Sequence, residues 1–329
     1  IYTTGNTLSL HDALPIYGGA RRFDVRLDNG AGPDRDPEGG ALRVAAVQGD
    51  AAGVGAALTL GAGLSARLAA SGALTLDPAG AYEALSAGAV ARERFTYRVA
   101  DPAGLEAEAT VTVSILGEND APEARDDALS LAEGGAGAAD LLADNGAGAD
   151  ADPDAGDALV VRRLVHAASG ASVAAGGTLS LAGGAEASVR ADGGFAFAAN
   201  GAYDALGTGE TATERFDYVV ADRTAGGLTD AAAVTVTVTG VNDAPRPADD
   251  AVAVDADATR AGDLLADNGF GPDLDPEGAA LTVTALEGVP LVPGAPIRLG
   301  SGARLTVSAD GAFDYDPDGR FEALAAGET

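Results

Sequence analysis

Cysteine, methionine, tryptophan and lysine are all absent from this 329-residue chain. Without cysteine there are no disulfides, no thiolate chemistry and no zinc–thiolate site. Without lysine the positive charge is arginine alone. Asp and Glu outnumber it 50 to 20, leaving a formal net charge of −30. Phosphate neutralisation needs clustered Lys and Arg, so nucleic-acid binding and charge-driven adhesion to an anionic membrane are both disfavoured. No apolar run reaches the roughly 18 residues of a membrane span. Aromatics make up only 5% of residues, and much of the 47% hydrophobic content is alanine. Any core is therefore thin, and a domain built on it has a modest stability reserve.

What the chain has instead is repetition. DNGAGPDRDPEG from Asp28 returns as DNGAGADADPDAG from Asp144 and as DNGFGPDLDPEG from Asp267. FTYRVAD at Phe95 returns as FDYVVAD at Phe216, and GENDAP at Gly117 as GVNDAP at Gly240. Separate landmarks keep one phase of about 120 residues, the length of a small domain and far beyond the 20–50 residues of a solenoid turn. The expected organisation is a first repeat over 18–120, a complete second over 121–243 and a third over 244–329. Residues 1–17 match no repeat, and LSLHDALPI resembles translated sequencing adapter, so this segment is expected to be non-native. The third repeat stops in FEALAAGET, where the second runs on into its Phe216 strand, and the sequence reads as part of something longer.

Within the second repeat, Ala128 to Leu131 suits a short strand ended by Gly134 and Gly135. ADLLADNG from Ala139 reads as a turn or one helical turn. ALVVRRLV from Ala158, TLSL from Thr178, EASVR from Glu186 and FAFAAN from Phe195 read as strands, with Asp192-Gly193 as a hairpin turn. FDYVVAD alternates Phe216, Tyr218 and Val220 on one face, and AAAVTVTVTG alternates Val234, Val236 and Val238. In the third repeat ALTVTAL from Ala280 takes the place of ALVVRRLV. Phe195, Phe197, Phe313 and Tyr315 are expected in the core. About seven strands with turns every 8–12 residues, and no helical period beyond two turns, predict an all-β fold: tandem antiparallel Greek-key β-sandwiches.

The ordered series Y/F-[DE]-A-L-x-x-G-E-T, F-x-Y-x-V-x-D and V-T-V-T-V-T-G-x-N-D-A-P resembles the VCBS repeat, the cadherin-like, immunoglobulin-like unit of very large bacterial surface adhesins and RTX-type exoproteins. The resemblance covers almost everything after about residue 20. It implies calcium-associated sandwiches in tandem arrays, type I secretion, an extracellular or cell-surface location, and roles in adhesion and biofilm. Two departures stand out. The family's usual loop is closer to ANDTDPDGD, whereas here it reads ADNGAGADADPDAGD. The GG-x-G-x-D nonapeptides of RTX calcium rolls are also missing, since GGAGAAD at Gly134 misses their spacing.

Calcium takes six to eight oxygen ligands, and two clusters per repeat offer them. One is the acidic loop: Asp34 and Asp36; Asp150, Asp152, Asp154 and Asp157; Asp273 and Asp275. It is not an EF-hand, because the twelfth position from Asp150 is Val161 rather than Glu, and a strand follows. The other is the junction, with Asn119, Asp120, Asp126 and Asp127 between the first and second repeats and Asn242, Asp243, Asp249 and Asp250 between the second and third. These resemble cadherin linkers. Glu133 is a supporting candidate, as are Asp101 and Asp222 at the ends of the Phe-x-Tyr strands. Asp, Asn, Pro and Gly are also the vocabulary of turns, so each Asp has two readings, and threefold repetition of the cluster favours the metal. Close carboxylates repel by roughly 1–4 kcal/mol per pair at surface-like dielectric, and a divalent ion reverses that sign.

No repeated catalytic constellation emerges. His11 lies in the suspect leader, and His166, present in one repeat only, reads as a tolerated surface residue. No phosphate-cradling loop or zinc motif is present. Paired carboxylates suit glycosidases, but catalytic pairs rarely come in tandem triplicate. The chain is therefore read as a non-catalytic, calcium-stiffened stalk partnered by calcium and by neighbouring repeats. The alternatives are modules that bind host or neighbouring-cell ligands or glycans directly, and accessory repeats of a secreted hydrolase. The idiosyncratic loops are GLTD from Gly227 and the proline-rich stretch from Glu287 to Leu299.

Overall fold

The computed structural model describes residues 6–9 (backbone), 21–27, 33–223 and 227–325. His11 and the Asp-Asn-Gly triplet at 28–30 lie outside these.

The second repeat is a sandwich of two sheets. In one, strands Ser172–Ala174, Leu159–His166, Thr211–Asp222, Thr229–Thr239 and Asp127–Ala132 lie side by side in that order; the other orders Ala136–Asp140, Gly194–Ala198, Glu186–Val189 and Thr178–Ser180. All these pairs are antiparallel except Thr229–Thr239 with Asp127–Ala132, which is parallel. The period-two pattern sets the faces, because successive strand side chains point to opposite sides. Phe216, Tyr218 and Val220 turn inward on one long strand, Val234, Val236 and Val238 on its neighbour, and all six are buried. Phe195 and Phe197 come from the opposing sheet, with ring centroids 5.8 and 6.1 Å from that of Phe216. In the third repeat Phe313 is buried and Tyr315 half-buried.

Two local features depart from the sequence reading. ADLLADNG forms the turn, closed by Ala143 N–H on the Asp140 carbonyl at 3.0 Å, and no helical turn. Its first residues finish a strand, Ala136–Asp140, that pairs with Gly194–Ala198. Gly and Ala give that strand no alternation to read. They suit it because a Cβ on Gly137 would lie 3.2 Å from the Leu129 side chain of the facing sheet. Likewise, the two adjacent arginines in ALVVRRLV are accommodated by a register shift between Val161 and Arg163, which leaves both exposed while Leu164 returns to the core. The first repeat shifts at the matching place, between Val44 and Ala46.

The first repeat has the same two layers. Arg43–Val47, Val90–Ala100 and Glu106–Leu116 form one sheet, and Arg21–Asp24, Ala73–Asp77, Leu64–Leu68 and Ala57–Leu60 form the other. Although 1–17 matches no repeat in sequence, Asn6–Ser9 runs parallel to Val111–Ser114. Asn6 faces Val111, which faces Phe95, just as Asp127 faces Val234, which faces Phe216. Pairing along this edge asks for extended backbone, not for the composition of the repeats.

The third repeat keeps the sheet of Arg260–Asp263, Ala312–Asp316, Arg304–Val307 and Pro296–Arg298. The strand expected over ALTVTAL is reduced to a two-residue ladder of Ala285–Leu286 with Val289–Pro290. In the second repeat the corresponding strand is held by Thr211–Asp222 and the first strand by Thr229–Thr239. Among the described residues of the third repeat no strand takes either role, and Val252 and Val254 stay 41% and 38% exposed.

Phe216 is where the two sheets of the second repeat meet. Phe216→Ala should cost about 3–5 kcal/mol, as for other buried aromatics, read from the midpoint of that repeat's transition in denaturant unfolding.

Candidate cation sites at the loops and joints

The acidic residues singled out by the sequence divide into three groups. The first serves turns. Asp36 accepts from the backbone N–H of Glu38 and Gly40 (3.0 Å each), and Asp275 from Glu277 and Ala279 (3.2 and 3.1 Å). Asp101 accepts from Leu105 N–H at 2.8 Å, and Asp126 from Ala233 N–H at 2.8 Å. Asp273 accepts from Ala248 N–H at 2.7 Å, and Asp250 from the Asn268 amide at 2.9 Å. Asp249 is exposed. For these residues the local geometry is that of turn and loop tethers.

The second group is gathered by a tyrosine. In the first repeat the Tyr97 hydroxyl donates to Asp34 Oδ2 at 2.7 Å. In the second, the Tyr218 hydroxyl lies 2.9 Å from Asp127 Oδ2, 2.7 Å from the Arg125 carbonyl and 3.4 Å from Asp150 Oδ2. Asp150 also accepts from Arg125 N–H, and Asp127 from Asn145. One phenolic proton thus serves several acceptors, ties the linker and acidic loop to the core strand, and leaves these carboxyls desolvated. Burial raises Asp34 and Asp127 above the usual carboxylate range, opposed by their tyrosine hydrogen bonds. Burial, helped by the charge on Asp127, pushes Asp150 up to about 6.

The third group converges on bare oxygens at the joints. At the first joint, Asp152, Asp154 and Asp157 each place a carboxylate oxygen within 4.8 Å of the others. Asp154 is 2% exposed and accepts the N–H of the linker residue Asp120 at 2.8 Å. Its Oδ1 and the Oδ2 of Asp152 are buried without a partner. Asp152 is raised by burial and by the charges of Asp157, Asp154 and Asp222. Nearby, the Asn119 amide donates to Asp222 Oδ2 at 2.7 Å.

At the second joint Glu133, Asp243 and Glu277 converge within the same 4.8 Å. Glu133, 1% exposed, accepts Val241 N–H at 2.6 Å, and Glu277 accepts Asp243 N–H at 2.6 Å. Glu133 Oε2, Asp243 Oδ2 and Glu277 Oε2 are all buried without a partner. The Asn242 amide turns back to the Asp243 carbonyl at 2.8 Å. Glu277 was absent from the sequence candidates, whose acidic-loop members were all aspartates. The signal was there, because Glu277 follows Asp275-Pro276 as Asp154 follows Asp152-Pro153. Both clusters offer oxygen alone, the donor set that suits a hard cation such as calcium or magnesium. Buried unpaired carboxylates this close together are costly without one.

His166 corrects the sequence reading. It is 7% exposed rather than a surface residue. As the last residue of its strand it packs against Phe216, the rings tilted by 38° with centroids 5.2 Å apart. Nδ1 lies 2.8 Å from Ser169 Oγ and Nε2 2.7 Å from Glu214 Oε2, whose other oxygen accepts from the Tyr203 hydroxyl at 2.9 Å. Because the strand is longer here than in the first repeat, its end reaches over the core edge.

Serial β-sandwiches with carboxylates gathered at their joints define a tandem-repeat protein of the cadherin and immunoglobulin kind. The bacterial Ig domain profile matches residues 19–114 and 242–326, and the bacterial cadherin-like domain profile matches 119–240. The chain belongs to the bacterial Ig domain family, with a cadherin-like domain at its centre. It is similar to mouse cadherin-23 EC22-24 at 13% identity and TM-score 0.45, over 96% of this chain and 86% of that one. It is similar to human CDH23 EC21-23 at 14% and 0.40, over 75% and 78%, and to human mucin-like protocadherin EC1-2 at 16% and 0.33, over 72% and 96%. No curated protein matches the chain.

Tyr218→Phe should destabilise the second repeat by about 1–3 kcal/mol, the cost of leaving buried acceptors unmet, measurable by denaturant unfolding. A pH effect also follows. A carboxyl raised in the folded state holds a proton that the unfolded chain releases. Its stabilisation is complete below the ordinary value of 3.8 and is lost as pH rises through about 6 for Asp150. In excess EDTA, Asp150→Asn should therefore gain stability relative to wild type between about pH 4 and pH 7, visible in paired thermal melts.

Proposed function

We propose that these are calcium-binding, non-catalytic stalk and adhesion repeats of a large secreted or cell-surface bacterial protein, divided at 18–120, 121–243 and 244–329. The observation that carries this reading is the second joint. Glu133 from one repeat, Asp243 from the linker and Glu277 from the next bring three buried, unpartnered oxygens together. Glu133, Asp243 and Glu277 would hold one ion, and Asp152, Asp154 and Asp157 another. When bound, calcium supplies positive charge and oxygen coordination, turning mutual repulsion into cross-linking. The motif series resembling the VCBS repeat supports the finer assignment to RTX-type adhesins, type I export and biofilm. In calcium-poor cytosol the repeats would stay loose enough to thread an exporter.

Extracellular modules bind calcium with dissociation constants near 10⁻⁴–10⁻³ M, and each site at tenfold excess adds about 1.4 kcal/mol. Two sites then add a sizeable share of the stability of a thin-cored domain. Titration calorimetry at millimolar calcium should detect ion uptake, and EDTA should lower the melting temperature by several degrees. No uptake together with an unmoved melting temperature would sink the proposal. A second reading, direct binding of a surface ligand or glycan, draws on the stretch from Glu287 to Leu299, where Val289 and Val292 stand exposed.

A further inference from the structure

We propose that Asn145-Gly146 and Asn268-Gly269 are latent deamidation sites that the fold holds shut, and that conversion of either asparagine releases the aspartate its amide holds, Asp127 or Asp250. Asn-Gly occurs at four places in the chain, and 145–146, 200–201 and 268–269 lie within the described residues. In such a pair the glycine nitrogen gives up its proton and attacks the asparagine Cγ. A C–N bond forms, and the side-chain nitrogen departs with that proton as ammonia. Water then opens the resulting succinimide to aspartate or isoaspartate. Glycine favours the first step because no side chain hinders the approach of its nitrogen.

In the second repeat both reacting groups are engaged. Gly146 N–H and Gly148 N–H each donate to Asp144 Oδ1 at 3.0 Å. These bonds hold the Asp144 carboxyl below the usual carboxylate range, so it stays charged. A carboxylate against the N–H opposes loss of its proton. The leaving amide is tethered as well. Asn145 Nδ2 donates to the Asp140 carbonyl at 2.5 Å, to Asp127 Oδ1 at 3.2 Å and to the Ala143 carbonyl at 3.4 Å. The third repeat duplicates the arrangement. Gly269 N–H and Gly271 N–H donate to Asp267 Oδ1 at 3.0 Å each. Asn268 Nδ2 donates to the Asp263 carbonyl at 2.6 Å, to Asp250 Oδ1 at 2.9 Å and to the Ala266 carbonyl at 3.3 Å.

Asn200-Gly201 is the contrast. Its amide donates once, to the Gly184 carbonyl at 3.2 Å, and among the described residues no acceptor takes the Gly201 N–H. One fold thus holds the same dipeptide in guarded and unguarded forms. Conversion has a consequence at the guarded pairs because each amide is a donor among acceptors. Aspartate at 145 sets an acceptor against Asp127 Oδ1 and two carbonyls, and acceptors left unmet on folding are costly. Asp127 receives the Tyr218 hydroxyl on its other oxygen, and the Asn145 carbonyl accepts Ala128 N–H at 3.3 Å. The change therefore falls where the first strand meets the turn. A repeat that lingers unfolded acquires a mark that hinders its folding, and one that folds promptly does not.

The full chain, held folded or in denaturing urea in a mildly alkaline buffer, can be followed by mass spectrometry of its proteolytic peptides. In urea the three described pairs should convert at similar rates. In the folded chain Asn145 and Asn268 should convert about tenfold or more slowly, as for a reaction that waits on local opening. Asn200 should convert ahead of both. Asn145→Asp should lower the denaturant midpoint of the second repeat. Should that variant fold poorly, wild-type chain aged in urea reads the same consequence, its refolding yield falling as conversion advances. The inference is overturned if the guarded pairs convert in the folded chain as fast as in urea or as fast as Asn200. It is equally overturned if Asn145→Asp unfolds with the wild type, or if fully converted chain refolds in undiminished yield.

Discussion

Carboxylates buried next to one another are the constraint to which the rest of this molecule answers. Glu133 and Asp154 are almost wholly enclosed, each with one oxygen met by a backbone N–H and one met by nothing. Burying such a charge is tolerable only beside a proton, a donor or a cation. Each acidic group adopts one of these remedies. Turn aspartates take backbone N–H groups, the Tyr97 and Tyr218 brackets supply a phenolic proton, and the two joint clusters keep bare oxygens that the proposed function gives to a cation.

The sandwich places these groups. Long hairpins of alternating Phe, Tyr and Val bury one face and carry Tyr218 to the place where linker and acidic loop cross. Each linker residue Asp120 or Asp243 then donates its N–H to the acid after the Asp-Pro pair, Asp154 or Glu277. That contact docks every linker on the loop of the repeat it enters. Repetition of the fold therefore repeats the docking, and the chain varies the acid that receives it, aspartate in one loop and glutamate in the next.

Much of the fold was legible because it depends on period two. Phe216, Tyr218 and Val220, and the Val–Thr run opposite them, announce their buried faces in any β context. The Ala136–Asp140 strand was not legible, since a Gly/Ala segment carries no alternation and is made a strand by Gly194–Ala198 beside it. The strand expected over ALTVTAL failed for the converse reason. The pattern is present, but among the described residues no neighbour supplies the hydrogen bonds that a strand needs.

The acids were legible as a population and not as partners. The repeated acidic loop and linker singled out Asp154 and Asp243, the first-strand region offered Glu133 as a supporting candidate, and the order of motifs alone indicated serial all-β units. Composition also excluded disulfides outright. Which acids share a point in space was decided by tertiary structure. Glu133 and Glu277 stand 144 positions apart in the chain and meet only because one repeat's first strand ends where the next repeat's loop begins. Burial of His166 against Phe216 was decided the same way, by a strand that outruns its counterpart and folds its end over the core. Local pattern specifies which face a side chain takes; proximity between distant segments exists only once whole sheets have packed.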